Sequence, residues 1–169
     1  ISFRVLNIAD MTTEGAYPLG AGVCVICIHN GVNPVLATVI AIVAGMLAGL
    51  VTGFLITICK IPSLLAGILT MTALLSVNLR IMGRPNLSLL NKETIFSKFQ
   101  SLNLPTHYDT VLLGFILSVI IIGMMSLFFS TELGQSLIAT GDNVKMATAL
   151  GISTKAMTIL GLMLANGII

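Results

Sequence analysis

The stretch from Pro34 to Cys59 contains no charged side chain, and neither does the stretch from Thr110 to Ser130. A helix rises about 1.5 Å per residue and a bilayer core is about 30 Å thick, so roughly 20 apolar residues cross it. Both stretches are long enough, as is Ile61 to Met82, whose only charge is Arg80 near its end. A fourth apolar run begins near Ala156 and continues to Ile169. Lipid offers backbone N–H and C=O groups no water, and a helix satisfies them internally. With 8% charged and 56% hydrophobic residues, the chain has too few polar groups to coat a water-soluble domain. The expectation is an all-α, polytopic transmembrane helical bundle, a single domain over residues 1–169 embedded in membrane lipid. Because the chain starts at Ile1 and stops at Ile169 within an apolar run, it reads as a piece of a longer polypeptide with both ends missing.

The N-terminal part is less regular. Leu19 to Ile28 is only half a span, and Pro18 at its start is flanked by Gly15, Gly20 and Gly22. This pattern predicts a broken or half helix, a backbone tolerated at membrane depth only where protein or a cavity surrounds it. Residues 1–28 are therefore a candidate pathway-lining element. Asp10 and Glu14 stand four residues apart beside the break, and ionisable groups near membrane depth are functional candidates. With them we take Tyr17, and Asn78, the strongly polar residue inside the span that ends at Met82, as candidates for facing a solute.

In the first long span Ala41, Gly45, Gly49, Gly53 and Thr57 recur every four residues, which places them on one helical face. In lipid, helices associate through close backbone approach, and such a small-residue stripe predicts a helix-packing surface. The turn "CKIPS" joins this span so tightly to the next that the two must be antiparallel neighbours, with Pro62 suited to a first helical turn. Gly83 to Asp109 is the longest polar segment, and Ile95, Phe96, Phe99 and Leu102 share one face within it. It reads as a loop holding an amphipathic helix at a membrane surface. Lys60, Lys145 and Lys155 on one side face Arg80, Arg84, Lys92 and Lys98 on the other, so positive charge does not set the orientation.

Between two very apolar stretches lies "ATGDNVKMATALGIS". Glu132 suits the first turn of a helix over the preceding "TELGQSLIAT", and Gly141 is expected to break it. Asp142 or Asn143 then caps a short helix of about two turns through "VKMATAL", and Gly151 ends it in the left-handed conformation. A free-standing helix that short is marginal in water, so something must hold it.

The remaining chemistry is sparse. Cys24 and Cys27 form a C-x-x-C, but "GVCVICI" has no polar neighbour and reads as small side chains packed in a membrane helix. His29 and His107 have no neighbours at ligand or triad spacing. No metal cluster or catalytic set is visible, and a net charge of +2 without a basic run gives no case for nucleic acid. No G-x-x-x-x-G-K-[ST] is present, so this chain has no P-loop for nucleotide phosphates.

The segment "GDNVKMATALGIS" resembles the G-x-N-x-x-A-A-x-x-x-GI signature of ATP-binding-cassette importer permeases for branched-chain amino acids, ribose and related solutes. Thr148 stands where that signature has its second alanine. "FRVLNIADMTTEGAYPLGA" is similar to the family's broken second helix, in the form found in its tryptophan-type or uncharacterised permease subgroup. "GMLAGLVTGFLITICKIPSLLAGILTM" is similar to its paired helices with a short turn. The resemblance covers nearly the whole chain in order.

It implies a multi-pass protein of the bacterial cell membrane that forms half of a solute pathway with a second permease subunit, as a homodimer. It implies that 83–109 is external and that 131–154 is a cytoplasmic coupling loop. Gly141, Asp142, Asn143, Ala147, Thr148, Gly151 and Ile152 would there meet a groove on a partner ATPase. That ATPase would hold ATP and Mg, with no cofactor on this chain, and an extracellular solute-binding lipoprotein would deliver the solute. Subgroup resemblance points to an amino acid, aromatic or branched-chain. The alternative is an ion-coupled secondary transporter that uses Asp10 and Glu14 as its carboxylates.

Overall fold

The computed structural model describes residues 2–83 and 108–169. The expected amphipathic helix between Gly83 and Asp109 lies outside them. Every element among the described residues is an α-helix: α1 (Ser2–Val5), α2 (Thr12–His29), α3 (Pro34–Thr57), α4 (Ser63–Met82), α5 (Tyr108–Ser130), α6 (Glu132–Asp142), α7 (Val144–Ala149) and α8 (Thr154–Ile168). By length and composition α3 and α4 can each cross a membrane, and α5 with α6 makes a third candidate bent by 80° at Thr131.

α3 is inside-out by the standards of a soluble protein. Its buried positions are Ala37, Gly45, Ala48, Gly49, Thr52 and Gly53, with Pro34 at its start, while Leu36, Val43, Leu47, Val51 and Phe54 are exposed. Lipid explains this distribution. Large aliphatic side chains gain nothing by leaving hydrocarbon, whereas small ones let helix backbones meet. The most extensive helix contact is accordingly between α3 and α8, where Gly45 lies against Asn166, Gly49 against Leu162 and Gly53 against Ile159. This order makes α3 and α8 antiparallel. Ala41, one turn before Gly45, lines a cavity together with Gly45 and the end of α8, and its carbonyl faces Gly20 of α2.

α2 packs on both α3 and α4, and each of these touches α2 more extensively than it touches the other. The tight turn at Lys60 (φ +55°) does reverse the chain, but α2 occupies most of the space between the two helices. Pro62 precedes α4 as its cap and lies outside its first turn. Ala16, Leu19 and Ala48 form the apolar centre of the α2–α3 contact, with Leu74 of α4 packed beside them.

The N-terminal break is placed differently from the sequence expectation. α2 starts at Thr12, and Pro18 lies inside it, not at its head. Proline in a helix interior removes one backbone donor. Here that loss falls early in the helix, while α3 and α4 hold the segment on either side. The interruption itself spans 6–11, between α1 and α2.

Candidate functional site

The first feature is a polar knot at the interruption. Asp10 Oδ1 accepts from the Thr12 backbone N–H at 2.9 Å, and Asp10 Oδ2 accepts from Asn166 Nδ2 of α8 at 3.0 Å. Asn166 Nδ2 also donates to the Leu162 carbonyl at 2.9 Å. Both partners are acceptors, so the amide's orientation is fixed, and its buried Oδ1 has no partner. Thr12 and Thr52, each fully buried, pair through their hydroxyls at 2.8 Å and tie the head of α2 to α3.

The second feature is a cavity of about 650 Å³ between α5 and the wall made by α2, α3 and α8. Its lining includes Tyr17, Gly20 and Cys24 of α2, Ala41 and Gly45 of α3, and Phe128 of α5. The volume lies in the range of small-molecule sites, and the lining is almost wholly apolar. α5 reaches the rest of the protein chiefly through α6, so the cavity separates it from the wall opposite.

The third feature is the elbow formed by α6 and α7. Asn143 is extended (φ −152°, ψ 100°), and its Oδ1 accepts from the N–H groups of Lys145 and Met146, both at 3.1 Å. At the other end Gly151 adopts φ +82°, and the Ile152 N–H reaches the Ala147 carbonyl at 3.0 Å. This 6→1 closure with a left-handed glycine is how a helix end is commonly sealed.

Two sequence expectations need correction here, and one choice is decided. Gly141 does not break the preceding helix. It sits within α6, where an added Cβ would collide with the Val5 carbonyl and come within 2.9 Å of Leu6 Cα, so glycine serves a close approach of α6 to the N-terminal segment. Of the two capping candidates Asn143 is the cap, and Asp142 is exposed at the end of α6. Ala147 does not face outward: it is fully buried against the protein's own helices. The large apolar residues that α7 and its C-cap expose are Val144, Met146 and Leu150, at 55%, 59% and 66%. A groove of about 230 Å³ lined by Gln135, Ile138, Ala139, Asp142 and Met146 runs beside them.

The pathway candidates do not form one site. Tyr17 is exposed and lines the cavity, while Glu14 is exposed without a hydrogen bond to Asp10 among the described residues. Asn78 is buried, with its unpartnered Oδ1 against Gly22 of α2, away from the cavity lining. Sequence reasoning missed Asn166, Thr12, Thr52 and the exposed face of α7. Asn166 carried a signal, an amide in the apolar run "LMLANGII"; the threonine pair carried none.

A helical bundle that exposes its aliphatic residues along helices long enough to cross a bilayer is that of a membrane protein. The family described as "Branched-chain amino acid transport system / permease component" matches residues 1–168, and the chain belongs to it. The tyrosine transport system permease protein of Clostridioides difficile is 39% identical over 169 residues, covering 100% of this chain and 55% of that protein. An uncharacterized protein of Rickettsia prowazekii is 37% identical over 169 residues, covering 99% and 57%. The autoinducer 2 import system permease protein LsrC of Yersinia enterocolitica is 28% identical over 142 residues, covering 82% and 38%. The chain thus spans about half the length of the first of these relatives. No solved structure matches it significantly.

Proposed function

We propose that this chain is part of the permease subunit of an ATP-binding-cassette importer in the bacterial cell membrane. Two such subunits, as a homodimer, form the pathway. A binding lipoprotein delivers the solute from outside, and a partner ATPase holding ATP and Mg drives uptake. The solute is an amino acid with an aromatic or branched side chain, a class supported by the name of the Clostridioides relative and by the apolar cavity.

The observation that carries the coupling role is the α6–α7 elbow. A six-residue helix closed at both ends presents three large apolar side chains beside a groove, on a loop that needs neither feature to connect two membrane helices. Exposed apolar groups at an aqueous surface mark a docking face. On this reading Val144, Met146 and Leu150 meet the ATPase. Ala147 is small because α7 lies close on the protein's own helices there, while Thr148 is exposed.

The test is tyrosine uptake and ATP hydrolysis by the full-length permease with its ATPase in proteoliposomes. Met146→Arg and Leu150→Arg should insert normally and abolish co-purification of the ATPase. Tyrosine uptake driven by an ion gradient with no ATPase present would refute the proposal and favour the carboxylate-coupled alternative.

A further inference from the structure

The interrupted segment between α1 and α2, together with the first residue of α2, is held by four different elements. Leu6 is buried beside Gly161 of α8 and Leu137 of α6. Asn7 donates its amide N–H to the Gly141 carbonyl of α6 at 3.1 Å, from a backbone at φ +52° that asparagine tolerates better than most residues. Asp10 is held by Asn166 of α8. The Met11 backbone lies against Gly67 of α4, and Thr12 pairs with Thr52 of α3.

Three residue steps separate Asn7 from Asp10, a reach of about 10 Å at most. One end of this short link is bonded to the elbow that leads into α7. The other is bonded to the head of α2, whose Tyr17, Gly20 and Cys24 face the cavity. Asn166, which holds Asp10, is itself tied by the same amide nitrogen to the Leu162 carbonyl one turn back along α8, so the bond joins the link to a fixed point on α8.

We propose that Asn7 and Asp10 are positioning residues that carry movement of the α6–α7 elbow to α2 and so to the cavity wall. This rests on the reading of the chain as an ATP-driven importer. Asn7 acts on the carbonyl of Gly141, and Asp10 turns the head of α2 through the Thr12 N–H. The two act in series, so loss of either interrupts the same link.

The experiment uses the full-length permease with its ATPase in proteoliposomes, with tyrosine uptake and ATP hydrolysis measured on the same sample. Asn7→Gly removes the amide while keeping free access to positive φ, so folding is not at risk. It should assemble and hydrolyse ATP at the basal rate, but move about fivefold less tyrosine per ATP or worse. Asp10→Asn should lower the same ratio, and the double variant should be no worse than the poorer single. A ratio for Asn7→Gly equal to the wild type would overturn the inference. So would a double variant whose loss is the product of the singles, as independent structural lesions give. Wild-type uptake that needs no ATPase defeats the importer reading itself; ATP-driven wild-type uptake with normal coupling in Asn7→Gly defeats only this link.

Discussion

Gly49→Ala adds one methyl group to the centre of the α3–α8 contact. An added Cβ would lie 2.7 Å from the Leu162 carbonyl carbon and 2.8 Å from Met163 Cα. Carbon atoms in comfortable contact stand about 3.5–4.0 Å apart, so the two helices must separate locally by about 1 Å. Both obstacles are backbone or bonded to it, and no side-chain rotation relieves them. The same shift loosens the neighbouring contacts of Gly45 with Asn166 and Gly53 with Ile159. A gap of this size forfeits a quarter to half of each affected contact.

Overpacking of this kind costs about 1–3 kcal/mol, and the upper end applies where backbone meets backbone. Against it stands a helix-propensity gain of about 1 kcal/mol for alanine over glycine. The net expectation is a loss of about 2 kcal/mol, or about 4–8 °C in melting temperature for a domain of this size. The assay is the fraction of detergent-solubilised, full-length protein that stays monodisperse after heating. Gly123→Ala in α5 is the control, because nothing lies within 4 Å of its added Cβ, and it should melt no lower than the wild type. A Gly49→Ala protein that melts at or above the wild type, or that shifts no further than Gly123→Ala, would refute the packing argument.

Three further outcomes are expected. Single cysteines at Asn30 and Lys60, the two ends of α3, should label with an impermeant reagent from opposite faces of the membrane, and Lys145→Cys should label with Lys60→Cys; any other pairing contradicts the span assigned to α3. Asn143→Ala removes the acceptor for two N–H groups and should cost about 1 kcal/mol of α7 stability. It should partly uncouple ATP hydrolysis from uptake, while Asp142→Ala leaves the ratio unchanged; the reverse order would assign the cap to Asp142. Thr52→Val strands the buried Thr12 hydroxyl and should destabilise by about 1–3 kcal/mol, whereas Thr12→Val with Thr52→Val should recover much of that loss. Equal melting temperatures for the single and double variants would show that the pair contributes nothing.

The linear chain was enough to establish the helices and their medium. Long uncharged runs leave no other way to satisfy a backbone in lipid, and so α3 and α4 were legible to within a few residues at each end. Small residues every fourth position marked the packing face of α3 as well, since glycine spacing is a local property of one helix. The partner of that face was not legible. Nothing in Gly45, Gly49 and Gly53 says that α8 covers them, or that α2 comes between α3 and α4, because helix–helix choice depends on how all the surfaces fit together.

The elbow shows the same division at finer scale. Its capping asparagine and left-handed glycine follow from local backbone chemistry, so a short closed helix could be read from "GDNVKMATALGIS". Which side of that helix faces out could not. Ala147 is buried and Met146 exposed because of how α7 folds back on α6 and α8, and Gly141 is a glycine because the Val5–Leu6 backbone crosses α6 at that point. Asp10 stood out in the chain only together with Glu14, as one of two carboxylates beside the break; the tertiary structure supplied Asn166, 156 residues away, as the group that holds it. Contacts at that separation are set by the whole fold, and no local pattern encodes them.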